Sequence, residues 1–102
     1  RTSFYDSLKD KELLERLASW SPTVRQRAAD AIKRRSEPPV SDLIAMLGSE
    51  SVNARVGGCT ALEELRGRAT PAVPMLRRLL TDEDMWVRVR AASALAAIGK
   101  PA

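Results

Sequence analysis

Apolar side chains recur along this chain at helical spacing. From Val87 onward they fall at Val87, Ala91, Ala92, Ala94, Leu95 and Ile98. Those offsets line one side of an α-helix and do not alternate as a strand would. The phrase occurs twice more, from Val24 to Ile32 and from Ala54 to Leu62. A shorter apolar group precedes each copy: Leu13, Leu14 and Leu17; Leu43, Ile44 and Leu47; Leu76, Leu79 and Leu80. The opening leucines Leu13, Leu43 and Leu76 each stand at the same distance ahead of an arginine, at Arg25, Arg55 and Arg88. A motif repeated without internal gaps, at a period in the range of roughly 20–50 residues, is the signature of a helical repeat.

The punctuation between apolar groups agrees. Ser21 before Pro22 reads as an N-cap followed by proline at the first helical position. Thr70 before Pro71 looks like the same device, and Pro74 falls in a first turn, where its missing N–H costs little. Gly48, Gly67 and Gly99 suit C-caps. Asp82, Glu83 and Asp84 favour a helix N-terminus, and Lys33, Arg34 and Arg35 a C-terminus. The pattern predicts six helices over approximately 10–19, 22–35, 39–47, 51–66, 71–80 and 84–98.

One such pair cannot bury its own apolar face, so pairs must stack. The expected fold is all-α, an α-solenoid of three stacked antiparallel helix pairs. The chain is expected to form a single repeat domain over 1–102, with pairs at approximately 10–36, 38–67 and 70–99. Pro101 falls where another pair would begin, so a slice of a longer array is expected. An uncapped end predicts a monomer or weak end-to-end self-association.

These residues resemble HEAT repeats, especially the short HEAT-like kind of bilin lyases. The run from Asp82 to Gly99 is similar to that family's acidic turn, Val-Arg, Ala-Ala, Ala-Leu and Ile-Gly pattern. The first copy keeps Val24-Arg25 and Ala28-Ala29, and the second diverges to Ala54-Arg55 and Gly57-Gly58-Cys59. The resemblance covers most of the chain, from the Asp10 region to Lys100. It implies a structural arginine ladder in which Arg25, Arg55 and Arg88 bond an acceptor six positions earlier in their own or an adjacent repeat; the residues at that offset are Ser19, Ser49 and Asp82. Serine is the weaker, neutral acceptor, so weaker rungs are expected in the first two copies. By analogy alone the family also raises a lyase-like role with a bilin pigment, and nothing in the sequence marks a cleft for one. The signatures of tetratricopeptide and ankyrin repeats are missing.

Composition narrows the chemistry. Aromatics are 4% of the 102 residues, too few for a β-sandwich or barrel rich in aromatic strands. With no histidine and one cysteine, the chain lacks the commonest general base and has neither an internal disulfide nor a cysteine zinc site. No catalytic residue, metal or cofactor is expected. No apolar run approaches the length of a membrane span, and the sequence assigns no compartment. Lysine plus arginine is 17 against 13 acids, a net +4, and most of those cations are arginine. Arginine suits bidentate recognition of carboxylate or phosphate.

Several residues invite a binding role. Arg27 and Arg90 stand two positions beyond the ladder, where the second copy has Gly57. Arg34 and Arg35 join Lys33, Arg66, Arg68, Arg77 and Arg78 as a candidate basic edge, against a plain reading as a solvated face. Trp20 and Trp86 lie near helix junctions, as partner anchors or as covers for the turn. Asp82, Glu83 and Asp84 lack the further oxygens and glycine turn of a calcium loop, and capping explains them better. Cys59 reads as a buried, inert thiol, and Gly58 as a close-packing position.

The function expected is a non-catalytic interaction scaffold, presenting a face built from the longer helices to a protein partner or another domain of its parent chain. Arg27, Arg90, Trp20 and Trp86 are its candidate contacts. The alternative is nucleic-acid backbone binding through the basic edge. A base-excision role would need a concave aromatic cluster with a catalytic carboxylate, for which Trp86 with Asp84 is the one candidate.

Overall fold

The long helices start where a side chain can hold an orphan N–H. In the computed structural model, which describes residues 3–100, the Ser21 hydroxyl accepts from the Val24 N–H, Ser51 from Ala54, and the Asp84 carboxylate from both Trp86 and Val87. These caps open α2 (Pro22–Lys33), α4 (Val52–Leu65) and α6 (Met85–Gly99). The short helices are α1 (Asp10–Leu17), α3 (Val40–Met46) and α5 (Val73–Leu79). At α1 the Glu12 carboxylate reaches back to the Lys9 N–H, satisfying a first-turn donor. The helix boundaries lie close to those expected from the sequence. Pro101, read above as the start of a further pair, lies outside the described residues.

Each short helix packs on the long helix that follows it, and α4 packs between α2 and α6. The all-helical result is the α-solenoid of three stacked pairs. Leu13, Leu17, Ile32, Leu43, Leu47, Leu62, Leu76 and Val87 are fully buried between the layers. Each contributes about 1.5–3 kcal/mol of apolar burial. The middle helix is enclosed on most sides: every residue from Ala54 to Leu62 is buried. The equivalent face of α6 is open among the described residues, so Ala92, expected in the core beside Ala29 and Cys59, is exposed. No described helix packs on that face.

Two sequence expectations about the turns are corrected. Thr70 is not an N-cap: its hydroxyl donates to the Gly67 carbonyl. A 3-10 stretch from Arg66 to Ala72 carries Pro71 inside it, and α5 starts later, with Pro74 in its first turn. Nor does any described glycine adopt a positive φ as a C-cap. After α4 that conformation falls on Arg66, at φ 51° and ψ −130°, a region that favours glycine.

Gly57 explains the divergence of the second copy. A Cβ there would sit 1.8 Å from the Leu17 carbonyl oxygen, so only glycine lets α1 approach α4 this closely. Arg27 and Arg90 occupy the same repeat position where no such crossing occurs. At Gly58 an added Cβ would meet Leu47, Leu43 and Met46 at 3.1–3.3 Å, a tight fit of α3 on α4.

Candidate functional site

The arginine ladder is built on main-chain carbonyls. Arg25 Nη1 donates to the Ser19 carbonyl at 2.8 Å, Arg55 Nη1 to Ser49 at 2.9 Å and Arg88 Nη1 to Asp82 at 2.7 Å. The side chains at those three positions do something else. The Ser19 and Ser49 hydroxyls and the Asp82 carboxylate each accept from an N–H just ahead in the chain, at Ser21, Ser51 and Asp84. The rung at this offset is therefore a carbonyl in all three copies, so serine does not weaken it; Arg55 and Arg88 add a second carbonyl, of Glu50 and Glu83, that Arg25 lacks.

The aspartate matters between repeats. Arg55 also reaches Asp82 in the next turn, with Nη2 3.2 Å from Oδ1 and Nε 3.0 Å from Oδ2. The Nε contact is an ion pair whose N–H points away from good hydrogen-bond geometry. Arg25 has no equivalent. The residue in the matching place is Ser49, and Arg25 has no carboxylate partner among the described residues.

Arg25 lines a groove of about 460 Å³ that crosses all three long helices. Pro22 and Gln26 join it from α2, Val52, Val56 and Thr60 from α4, and Trp86 and Arg90 from α6. Burial, and then the nearby positive charge of Arg90, hold the Arg25 guanidinium below its ordinary proton affinity. Arg90 is paired with Glu63 at 2.6 Å, and Gln26 donates to Glu64 and Asp30. The groove thus has an apolar floor, one unpaired guanidinium and one paired guanidinium.

Trp86 is 62% exposed and Trp20 83%. Neither covers its helix junction, which corrects that reading. Both stand at N-terminal ends of long helices, Trp86 in the groove wall and Trp20 in the turn before α2. Arg27 is exposed but lies apart, beside Phe4, Tyr5 and Arg34.

Lys33, Arg34, Arg35 and Arg68 of the candidate basic edge are engaged, whereas Arg66, Arg77 and Arg78 are exposed with no side-chain partner among the described residues. Arg34 Nη2 pairs with Asp6 at 2.7 Å, and Arg35 pairs with Asp10 at 3.0 Å while also donating to the Leu8 carbonyl. A hydrogen bond from Arg34, then its charge, holds the Asp6 carboxyl below the ordinary carboxylate range. Lys33 reaches Glu64 at 3.6 Å. Arg68 donates to the Arg35 and Lys33 carbonyls, closing the C-terminal end of α2. These cations tie the N-terminal 3-10 turn (Tyr5–Ser7) and the α4–α5 connection onto α2.

Cys59 is buried in α4, where desolvation pushes its thiol up to about 12. It is held as the neutral thiol, which is not the nucleophilic form. Asp84 caps α6, its carboxylate accepting from the Trp86 and Val87 N–H groups. No described helix is long and apolar enough to cross a membrane.

A family model for HEAT repeats matches residues 40–102, more than half of the chain. No curated protein matches it. HEAT repeats commonly serve as protein-interaction scaffolds and are generally non-catalytic. With three stacked helix pairs, a guanidinium rung in each, and this match, the chain belongs to the HEAT-repeat family.

Proposed function

We propose that this chain is a non-catalytic docking module whose long-helix face receives a segment of a partner protein, or of another domain of its own parent chain. The observation that carries the reading is Trp86: a large apolar side chain, mostly exposed, in the wall of a groove that crosses all three repeats. Tryptophan and arginine are the residues that most often dominate binding energy at protein interfaces. Here both types border one apolar floor. Arg90 belongs to the same lining, whereas Trp20 and Arg27 lie outside it.

Backbone binding of nucleic acid is the weaker alternative, because Lys33, Arg34, Arg35 and Arg68 already serve internal partners and leave only Arg66, Arg77 and Arg78 of that edge without one among the described residues. A photoreactive amino acid placed at position 86, and separately at Arg77 on the exposed side of α5, tests the docking face. Discrete protein adducts from position 86 and none from position 77 support it. Equal adducts from both positions, or from position 77 alone, refute it.

A further inference from the structure

The two boundaries between repeats are unlike in one respect. Between the second and third, Arg55 is engaged on both sides: it donates to the Ser49 and Glu50 carbonyls of its own turn and to the Asp82 carboxylate of the next. Between the first and second, the same register places Ser49 where Asp82 stands. A serine hydroxyl is shorter and neutral, and this one is already taken by the Ser51 N–H. Arg25 therefore bonds only the Ser19 carbonyl through Nη1, leaving Nε and Nη2 without a partner among the described residues. That guanidinium is half-buried and lines the groove. A charge taken partly out of water gains from an anion beside it.

We propose that Arg25 captures a carboxylate from the partner segment, supplying to another protein the contact that Arg55 gives Asp82, while Trp86 and Val52 take an adjoining apolar side chain. The inference rests on the docking face proposed above and names its ligand: a short acidic segment with a neighbouring apolar residue. A protein carboxylate fits better than a phosphodiester chain. One guanidinium is free, enough for a single carboxylate, while Glu63 on Arg90 and Glu64 on Gln26 would repel the further charges of a polyanion. The Arg55–Asp82 pair in the next rung demonstrates the carboxylate geometry the scaffold already accommodates.

Ser49→Asp is the decisive variant, because it supplies the missing carboxylate internally and can still accept from the Ser51 N–H, as Asp82 does from Asp84. A random short-peptide library is selected on the intact protein. Recovered peptides are then titrated against wild type, Ser49→Asp, Arg25→Gln and Trp86→Ala. The expected result is enrichment of Asp or Glu beside an apolar residue, with affinity falling about tenfold or more in Ser49→Asp and Arg25→Gln, as loss of a charge-assisted contact predicts. Circular dichroism confirms that Ser49→Asp remains folded. Peptides that bind wild type and Ser49→Asp alike but fail on Trp86→Ala would overturn the Arg25 inference and leave the docking face standing. No enrichment at all would overturn both. Short duplex DNA bound at physiological salt through Arg25 would overturn the choice of a protein carboxylate.

Discussion

Arg55 and Asp82 join the second and third repeats through a buried ion pair, each side chain only 9% exposed. Arg55 sits in the enclosed helix α4, and Asp82 in the turn that starts the next long helix. Removing one partner of such a pair costs more than the pair contributes, because the other charge stays buried. Asp82→Ala should destabilise the fold by about 3–5 kcal/mol, read as a lower urea midpoint. Asp82→Ser separates two effects. It keeps an acceptor for the Asp84 N–H, so a loss nearly as large assigns the cost to the ion pair. A negligible loss in Asp82→Ser would assign it to the turn.

Ser49→Asp should act in the opposite direction. It places a carboxylate within the register of Arg25, which is half-buried and already constrained by Ser19. A partly exposed pair is worth about 0.5–1 kcal/mol, a rise in melting temperature of about 2–8 °C for a domain of this size. The gain should shrink in high salt. An unchanged or lower melting temperature would mean that Arg25 and position 49 do not meet.

Gly57→Ala should be severely destabilising, because a Cβ 1.8 Å from a backbone oxygen cannot be relieved by a side-chain rotation. The crossing of α1 on α4 must open, and overpacking of this kind costs about 1–3 kcal/mol or more. Gly58→Ala is the control. Its tightest neighbour is the end of the Leu47 side chain at 3.1 Å, and alanine gains about 1 kcal/mol of helix propensity. The neighbouring substitutions should therefore differ sharply in denaturant midpoint.

The buried thiol sets an alkaline limit. Cys59 is raised from 9.0 in the unfolded chain to about 12 in the fold. Above pH 9 the unfolded state releases this proton and the native state does not. Stability should therefore fall as pH rises from 9 toward 12, by up to about 1.4 kcal/mol per unit. Cys59→Ala should remove that component of the slope. A thiol reagent should label native Cys59 only as fast as the fold opens.

The architecture was legible because it depends on local signals repeated three times. Ser21 with Pro22, the acidic turn before Met85 and the leucines at a fixed distance ahead of each arginine all encode helix ends or buried stripes. The site was less legible. The family resemblance paired Arg25, Arg55 and Arg88 with Ser19, Ser49 and Asp82, but the sequence held no sign that the carbonyl, not the side chain, accepts. The basic run at residues 33–35 looked free because Asp6, Asp10 and Glu64, its partners, come from other turns. The missing carboxylate opposite Arg25 was written in the sequence as Ser49 against Asp82. It became readable only once Arg55 was seen to cross the repeat boundary. Gly57 was visible as a departure from Arg27 and Arg90, and its cause lies in α1, far away in the chain.

The most direct test of the docking face is nuclear magnetic resonance of the labelled protein titrated with an acidic, apolar peptide recovered by the selection. The chain has 2 tryptophans, so each indole N–H is a separate reporter, with Trp86 in the groove wall and Trp20 outside its lining. Shifts at the Trp86 indole and at the amides of Arg25, Val52 and Thr60, with α1, α3 and α5 unmoved, are the expected result. Shifts confined to the short helices, with the Trp86 indole unchanged, would contradict it.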